Sequence, residues 1–74
     1  MLTIKTRNAK GNENLFEARR VEYLDTKAHG EKGFLMPGVY ISYEDGGETS
    51  YEAGSGYKIW VMNRHGSTVA TYNL

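Results

Sequence analysis

The 74-residue sequence has no cysteine, a single proline and no long apolar run. Without cysteine, the chain can form neither a disulfide nor a cysteine-rich zinc site. No apolar run approaches the roughly 20 residues that a membrane-spanning helix needs, and the first residues lack the apolar stretch of a secretory signal peptide. We therefore expect a cytoplasmic protein with no membrane partner.

The sequence also lacks an excess of either charge, with nine Lys and Arg against nine Asp and Glu. Strong electrostatic attraction to nucleic acid or to a membrane surface would need a net positive field, so neither partner is favoured by charge. Four of the nine acids form a cluster in a segment that contains no Lys or Arg, and they are Glu44, Asp45, Glu48 and Glu52. Such a run is typical of a solvated surface.

Residue patterns that carry catalysis or bind metals are missing. Ser67 follows His65 by two residues at one predicted turn, and neighbours on an exposed turn rarely form a working nucleophile and base. The two histidines, His29 and His65, lie on separate predicted loops, which does not suit a metal site. The glycine-rich segments lack the lysine and the following helix of a phosphate loop. We predict no enzymatic activity, no metal and no cofactor.

The clearest structural signal is a hairpin near the C-terminus. Residues 57–62 and 68–72 are rich in β-branched and aromatic side chains, which favour strands. Between them, Asn63 and Gly66 fit a type I turn closed by a glycine bulge. This turn pairs Asn63 with Ser67, and continuing the register pairs Val61 with Val69.

That register assigns the two faces of the hairpin. Val61 and Val69 would lie together in the core, while Trp60, Met62 and Tyr72 would share the other face. Two interpretations of this second face stay open: it is buried because the hairpin is central in its sheet, or it is an exposed contact surface. As a contact surface it would include Tyr40 from another strand.

The remaining chain indicates further short strands over residues 2–6, 38–43 and 49–53, with a turn at Asp45-Gly46-Gly47 and a loop over residues 26–33. Residues 15–24 are ambiguous. Asn14 and Glu17 imitate a helix capping box, whereas a strand with a bulge at Arg19-Arg20 also brings the apolar residues to one side. We favour the strand.

The sequence therefore predicts a single all-β domain over residues 1–74, either a small, strongly bent antiparallel sheet or an SH3-like or OB-like barrel of five to six strands. The alternative is an α+β fold with one helix at about 14–28. The predicted core consists of Leu2, Ile4, Val39, Ile41, Ile59, Val61 and Val69.

Two kinds of binding function fit this domain. The first is a protein-binding module whose candidate face is Trp60, Tyr72, Met62 and Tyr40, since aromatic side chains are enriched at interfaces. The second is a nucleic-acid-binding barrel that stacks bases on tyrosines and Trp60 and uses the cations Lys5, Arg7, Lys10, Arg19 and Arg20. A homodimer through an edge strand is compatible with either function.

The last quarter of the chain, Val61-Met62-Asn63-x-x-Gly66-x-Thr68-Val69-Ala70-Thr71-Tyr72-x-Leu74, resembles short uncharacterised proteins encoded by bacteriophages and prophages. The matching residues form the hairpin and carry no functional side chains. The resemblance implies an accessory protein that acts in the cytoplasm of the host cell and regulates or inhibits a host protein by binding to it.

Overall fold

The computed structural model describes residues 1–24, 28–30, 33–35 and 37–74. These ranges contain strands and turns and no helix, so they include no helix that could cross a membrane. The strands are β1 (Leu2–Arg7), β2 (Glu13–Ala18), β3 (Arg20–Leu24), β4 (Ala28–Gly30), β5 (Gly33–Leu35), β6 (Gly38–Ser42), β7 (Glu48–Glu52), β8 (Lys58–Met62) and β9 (Thr68–Asn73).

The strands form two main antiparallel sheets. The four-stranded sheet has the order β2-β1-β8-β9, and the three-stranded sheet has the order β3-β6-β7. The predicted all-β class is confirmed. The sheets do not close into a barrel, and the strands exceed the five to six expected, partly because β4 and β5 pair as a hairpin where a loop was predicted. Residues 25–27, 31, 32 and 36 lie outside the described ranges.

The ambiguous segment is two strands, and the helix predicted as the alternative is wrong for residues 14–24. β2 belongs to the four-stranded sheet and β3 to the three-stranded sheet, so the chain passes from one to the other at Arg19. There the Arg19 amide donates to the Ser42 carbonyl at 2.9 Å. The predicted irregularity at Arg19-Arg20 is this crossing, which lets Ala18 and Val21 both face the core.

The predicted turn at Asn63–Gly66 is confirmed. The Asn63 amide donates to the Ser67 carbonyl at 2.9 Å, and Gly66 closes the turn with a φ of 82°. Such a positive φ suits glycine because it has no Cβ. The Asn63 side-chain oxygen accepts bonds from the amides of His65 and Ser67. The same backbone pattern recurs in the turns at residues 8–12 and 43–47.

Beyond this turn the predicted register is wrong. Met62 pairs with Thr68 as expected, but Val61 pairs with Ala70 rather than with Val69. A β-bulge leaves Val69 without a partner on β8, and one extra residue inverts every side chain that follows. Val69 is therefore 57% exposed. Ala70 and Tyr72 pack against the core in its place.

The core lies between the two sheets. Its buried apolar residues are Ile4, Ala18, Val39, Ile41, Ile59 and Val61. The prediction is confirmed for five of these, Leu2 packs against them while partly buried, and Val69 is a wrong assignment. Among the described residues, Thr6 is the buried polar one, and its side chain lies next to Tyr51. Tyrosines fill the margins in three aromatic pairs: Phe16–Tyr43, Tyr51–Tyr57 and Tyr23–Tyr72.

Candidate binding surface

The outer face of the four-stranded sheet carries the chain's single tryptophan. Strand pairing aligns one residue from each strand in a row across this face, in the order Leu15, Lys5, Trp60, Thr71. Trp60 is half-buried and lies on β8, an inner strand of the sheet. Because side chains alternate along a strand, the burial of Ile59 and Val61 directs Trp60 to the outside.

Three cations surround the Trp60 ring. The Nζ atoms of Lys5 and Lys58 each lie 5.0 Å from the ring centroid, and the Cζ atom of Arg7 lies 5.1 Å from it. Lys5 and Arg7 come from β1, while Lys58 precedes Trp60 by two residues on β8. At these distances each cation is attracted to the ring's electron density. The aromatic side chain and the positive charges therefore form one surface feature.

Glu13, on the edge strand β2, partly neutralises these cations. Its Oε2 atom lies 2.8 Å from Arg7 Nη2 and 3.7 Å from Lys5 Nζ. The hydrogen bond from Arg7 lowers the pKa of the Glu13 carboxyl below its ordinary value and outweighs the opposing effect of desolvation. Glu13 thus stays charged into the acidic range and holds the two β1 cations in place.

Apolar side chains extend the surface around this charged centre. Met62 follows Trp60 by two residues and is half-buried on the same face. Leu15 is 68% exposed. An open depression of about 420 Å³ lies beside it, lined by Thr3, Leu15, Phe16 and Glu17. We call Trp60, Lys5, Arg7, Lys58, Met62 and Leu15 the Trp60 surface.

The structure separates the four residues predicted as a protein-binding face. Trp60 and Met62 lie together on the Trp60 surface. Tyr72 points to the core and stacks on Tyr23, with ring centroids 5.5 Å apart and planes 10° from parallel. Tyr40 lies on the outer face of the three-stranded sheet, since its neighbours Val39 and Ile41 are buried. The bulge at Val69 is the reason that Tyr72 turned inward.

The cations predicted for nucleic-acid binding are also divided. Lys5 and Arg7 belong to the Trp60 surface. Lys10 lies exposed in the turn at residues 8–12, Arg19 is exposed where the chain changes sheets, and Arg20 lies 3.6 Å from Glu22 on β3. Four of the tyrosines expected to stack bases instead pack against the core: Tyr43, Tyr51, Tyr57 and Tyr72.

Alternation along the predicted strand placed Lys58 on the face of Trp60, but neither Lys58 nor Leu15 was selected as a candidate binding residue. The position of Leu15 beside Trp60 could not be predicted, because it depends on the pairing of β1 with β8, and pairing between distant segments has no local signal. The acidic residues Glu48 and Glu52 lie on β7, in the other sheet, away from the cations.

The histidines weighed for catalysis and metal binding are His29 and His65. His65 is exposed at the tip of the β8–β9 turn, and the side chain of His29 lies outside the described residues. Within the part of the chain that the structure describes, no three His, Cys, Asp or Glu residues are grouped closely enough to hold a metal ion.

Comparison with protein-family models, with curated proteins and with solved structures gives no match for this chain. A function for the chain is therefore inferred from the geometry of the Trp60 surface.

Proposed function

We propose that the chain is a non-enzymatic binding module that recognises a partner protein through the Trp60 surface. The observation that carries the proposal is a half-buried tryptophan at the centre of an open sheet face, surrounded by three cations about 5 Å from its ring. Burying such a ring in a partner's pocket would supply the central contact that commonly dominates an interface.

The composition of the surface supports a protein partner. Tryptophan, methionine and arginine are enriched at the centres of protein interfaces, and here Met62 and Arg7 flank Trp60 on opposite sides. Regular strands hold these side chains, so little backbone freedom would be lost on binding. The partner should offer an apolar pocket for Trp60 with carboxylates around it to meet Lys5 and Lys58.

The resemblance to phage and prophage proteins supports a setting for this activity. In that setting, the chain is an accessory protein in the cytoplasm of a bacterial host, where it occupies the surface of a host protein and thereby regulates or inhibits it.

A second candidate function is the binding of single-stranded nucleic acid. It is favoured by the contact of Lys5, Arg7 and Lys58 with an aromatic ring, because phosphates pair with cations while bases stack on aromatic side chains. Glu13 and Glu17 on the neighbouring strand β2 oppose it, and Trp60 is the one aromatic residue on this surface.

The two functions can be separated with one pair of variants. Trp60→Ala removes the proposed central contact, whereas Tyr40→Ala changes the outer face of the other sheet and serves as the matched control. Immobilised wild-type chain and both variants would be incubated with lysate of a bacterial host, and captured proteins quantified by mass spectrometry. We expect a captured protein that Trp60→Ala loses and Tyr40→Ala retains. Equal capture by all three chains would reject the Trp60 surface.

The wild-type chain and Tyr40→Ala, which both keep Trp60, would be titrated with a single-stranded oligothymidylate at low salt. Trp60 is the only tryptophan, so its fluorescence reports on this surface alone. The protein-binding proposal expects no saturable quench. A saturable quench that weakens steeply as salt is added would instead support the nucleic-acid function.

A further inference from the structure

We propose that β9 pairs antiparallel with β9 of a second copy of the chain, across a two-fold axis at Thr71. This inference does not depend on the proposed function, because it concerns the edge of the four-stranded sheet rather than its face. β9 is the last strand of that sheet, and among the described strands β8 alone pairs with it.

The sequence of β9 leaves this edge unprotected. Natural proteins protect exposed edges with charged residues or proline, since an open edge is a template for another strand. β9 has neither in its six residues, Thr-Val-Ala-Thr-Tyr-Asn. Only the bulge at Val69, at its beginning, interrupts it.

Charge distinguishes β9 from the other three edges of the two main sheets, because β2, β3 and β7 all carry charged side chains. In a two-fold pair of β2 strands centred on Leu15, Glu13 would face Glu17 of the copy. In a pair of β7 strands centred on Ser50, Glu48 would face Glu52. β3 carries both an arginine and a glutamate, so the charges that would meet across a pair of β3 strands depend on its register, and like charges directly opposite destabilise a sheet. Pairing β9 with itself opposes no charges.

The backbone of β9 offers hydrogen-bonding groups on its outer side. The Leu74 amide donates to the Tyr57 carbonyl at 2.7 Å, so Leu74 turns its amide towards the β8 side. Because successive residues of an antiparallel strand alternate in this direction, Ala70 and Tyr72 also bond towards β8. Thr71 and Asn73 therefore direct their N–H and C=O groups away from the sheet.

An axis at Thr71 fits these groups and the side chains. The two Thr71 residues would exchange a pair of backbone hydrogen bonds, and their side chains would face each other as a favourable threonine pair. On the inner face, small Ala70 would lie opposite large Tyr72 of the copy. The overlap would end at Asn73, which leaves Leu74 free to keep its carbonyl bond to the Gly54 amide.

The pairing would join two four-stranded sheets into one sheet of eight. Because Trp60 and Thr71 lie in the same row, the two Trp60 rings would share one continuous face. Three strand spacings would separate their backbones, which is about 14 Å. A dimer would therefore present two Trp60 surfaces side by side, suited to a partner with repeated sites.

The test compares two proline variants. Thr71→Pro removes an amide that the isolated chain does not use and that the dimer needs. Leu15→Pro is the matched control, because Leu15 lies in the same row on the opposite edge of the sheet. The Asn8 amide donates to the Asn12 carbonyl, so Asn12 faces β1, and alternation along β2 then directs the Leu15 N–H outward, as it does for Thr71. Sedimentation equilibrium over a range of concentrations would measure self-association of wild-type chain and both variants.

We expect the wild-type chain to dimerise reversibly, Leu15→Pro to dimerise equally well, and Thr71→Pro to dimerise about tenfold to a hundredfold more weakly. A wild-type chain that stays monomeric at every concentration would overturn the proposal. So would a dimer that Thr71→Pro leaves unchanged or that Leu15→Pro disrupts.

A cysteine variant keeps the test decisive if Thr71→Pro does not fold. The chain has no cysteine, so Thr71→Cys introduces a unique thiol on the proposed axis, where two copies would lie within disulfide distance. Mild oxidation with diamide should cross-link Thr71→Cys at concentrations where Leu15→Cys remains monomeric. Equal cross-linking of both variants would reject the β9 interface.

Discussion

At the residue scale, Gly38 at the start of β6 has less room for a side chain than the other glycines that the structure describes. Gly38 is buried and lies opposite Glu52 on β7. A Cβ atom built at Gly38 would collide with the backbone carbonyl oxygen of Tyr51, which cannot move aside as a flexible side chain would. The close approach of β6 and β7 therefore requires glycine here.

Gly38→Ala should consequently lower the free energy of unfolding by about 1–3 kcal/mol, since the backbone must shift to relieve the overlap. Urea denaturation followed by circular dichroism would measure the loss. Gly11→Asn is a suitable comparison, because no atom lies within 4 Å of a Cβ at Gly11 and asparagine tolerates its φ of 87°. If the two variants were equally stable, the predicted collision at Gly38 would be wrong.

At the scale of single elements, local signals predicted β8 and its turn but not the phase of β9. Asn63 and Gly66 favour the turn through their own side chain and backbone properties, so the sequence alone was sufficient to predict the turn. The bulge at Val69 has no such local signal. It depends on the core accepting Ala70 and Tyr72, which requires knowledge of the residues contributed by the other sheet.

For β2 and β3 too, local features could be predicted from the sequence, whereas the strand pairing could not. Alternation identified the inward residues Phe16 and Ala18, and the irregularity at Arg19-Arg20 was also predicted. That this irregularity transfers the chain from one sheet to the other could not be predicted, since it depends on the pairing of β3 with β6.

A pair of valine variants tests the observed phase of the hairpin. Val61→Ala should destabilise the protein by about 1–3 kcal/mol, because it removes buried apolar atoms and leaves a small cavity. Val69→Ala should change the stability by less than about 0.5 kcal/mol, because Val69 is exposed. Thermal melts of both variants would suffice, and a similar loss in each would restore the register that pairs Val61 with Val69.

At the scale of the whole molecule, the cations around Trp60, the acids of β7 and most tyrosines occupy different places in the fold. Most tyrosines complete the core, and the cations around Trp60 lie on a different sheet from the acids of β7. Sequence alone selected Trp60, Met62, Lys5 and Arg7 but divided them between two hypotheses. Their convergence depends on the pairing of β1 with β8, which brings Lys5 opposite Trp60 across more than fifty residues of chain.

The partly buried Tyr51 predicts how stability depends on alkaline pH. Burial raises the pKa of the Tyr51 hydroxyl above its usual value of 10.0, and the neighbouring Tyr43 and Tyr57 add to the effect. The folded state thus favours neutral Tyr51, so its contribution is complete below the unfolded pKa and is lost as pH rises through the higher folded pKa.

Tyr51→Phe cannot ionise and should lose stability less steeply than the wild-type chain between about pH 9 and pH 11. Free energies of unfolding measured in urea at several pH values would give both slopes. Parallel curves for the two chains would mean that Tyr51 ionises equally easily in the folded and unfolded states.

The pairing of β1 with β8 also has a consequence for how the chain acquires its structure. Thr3 lies beside Met62, so the middle of the four-stranded sheet joins segments from opposite ends of the sequence. During synthesis, the β1–β2 hairpin is made before β8, the strand that pairs with β1. One edge of β1 therefore has no partner strand until β8 is available. Closing the long loop between β1 and β8 should be the rate-limiting step of folding.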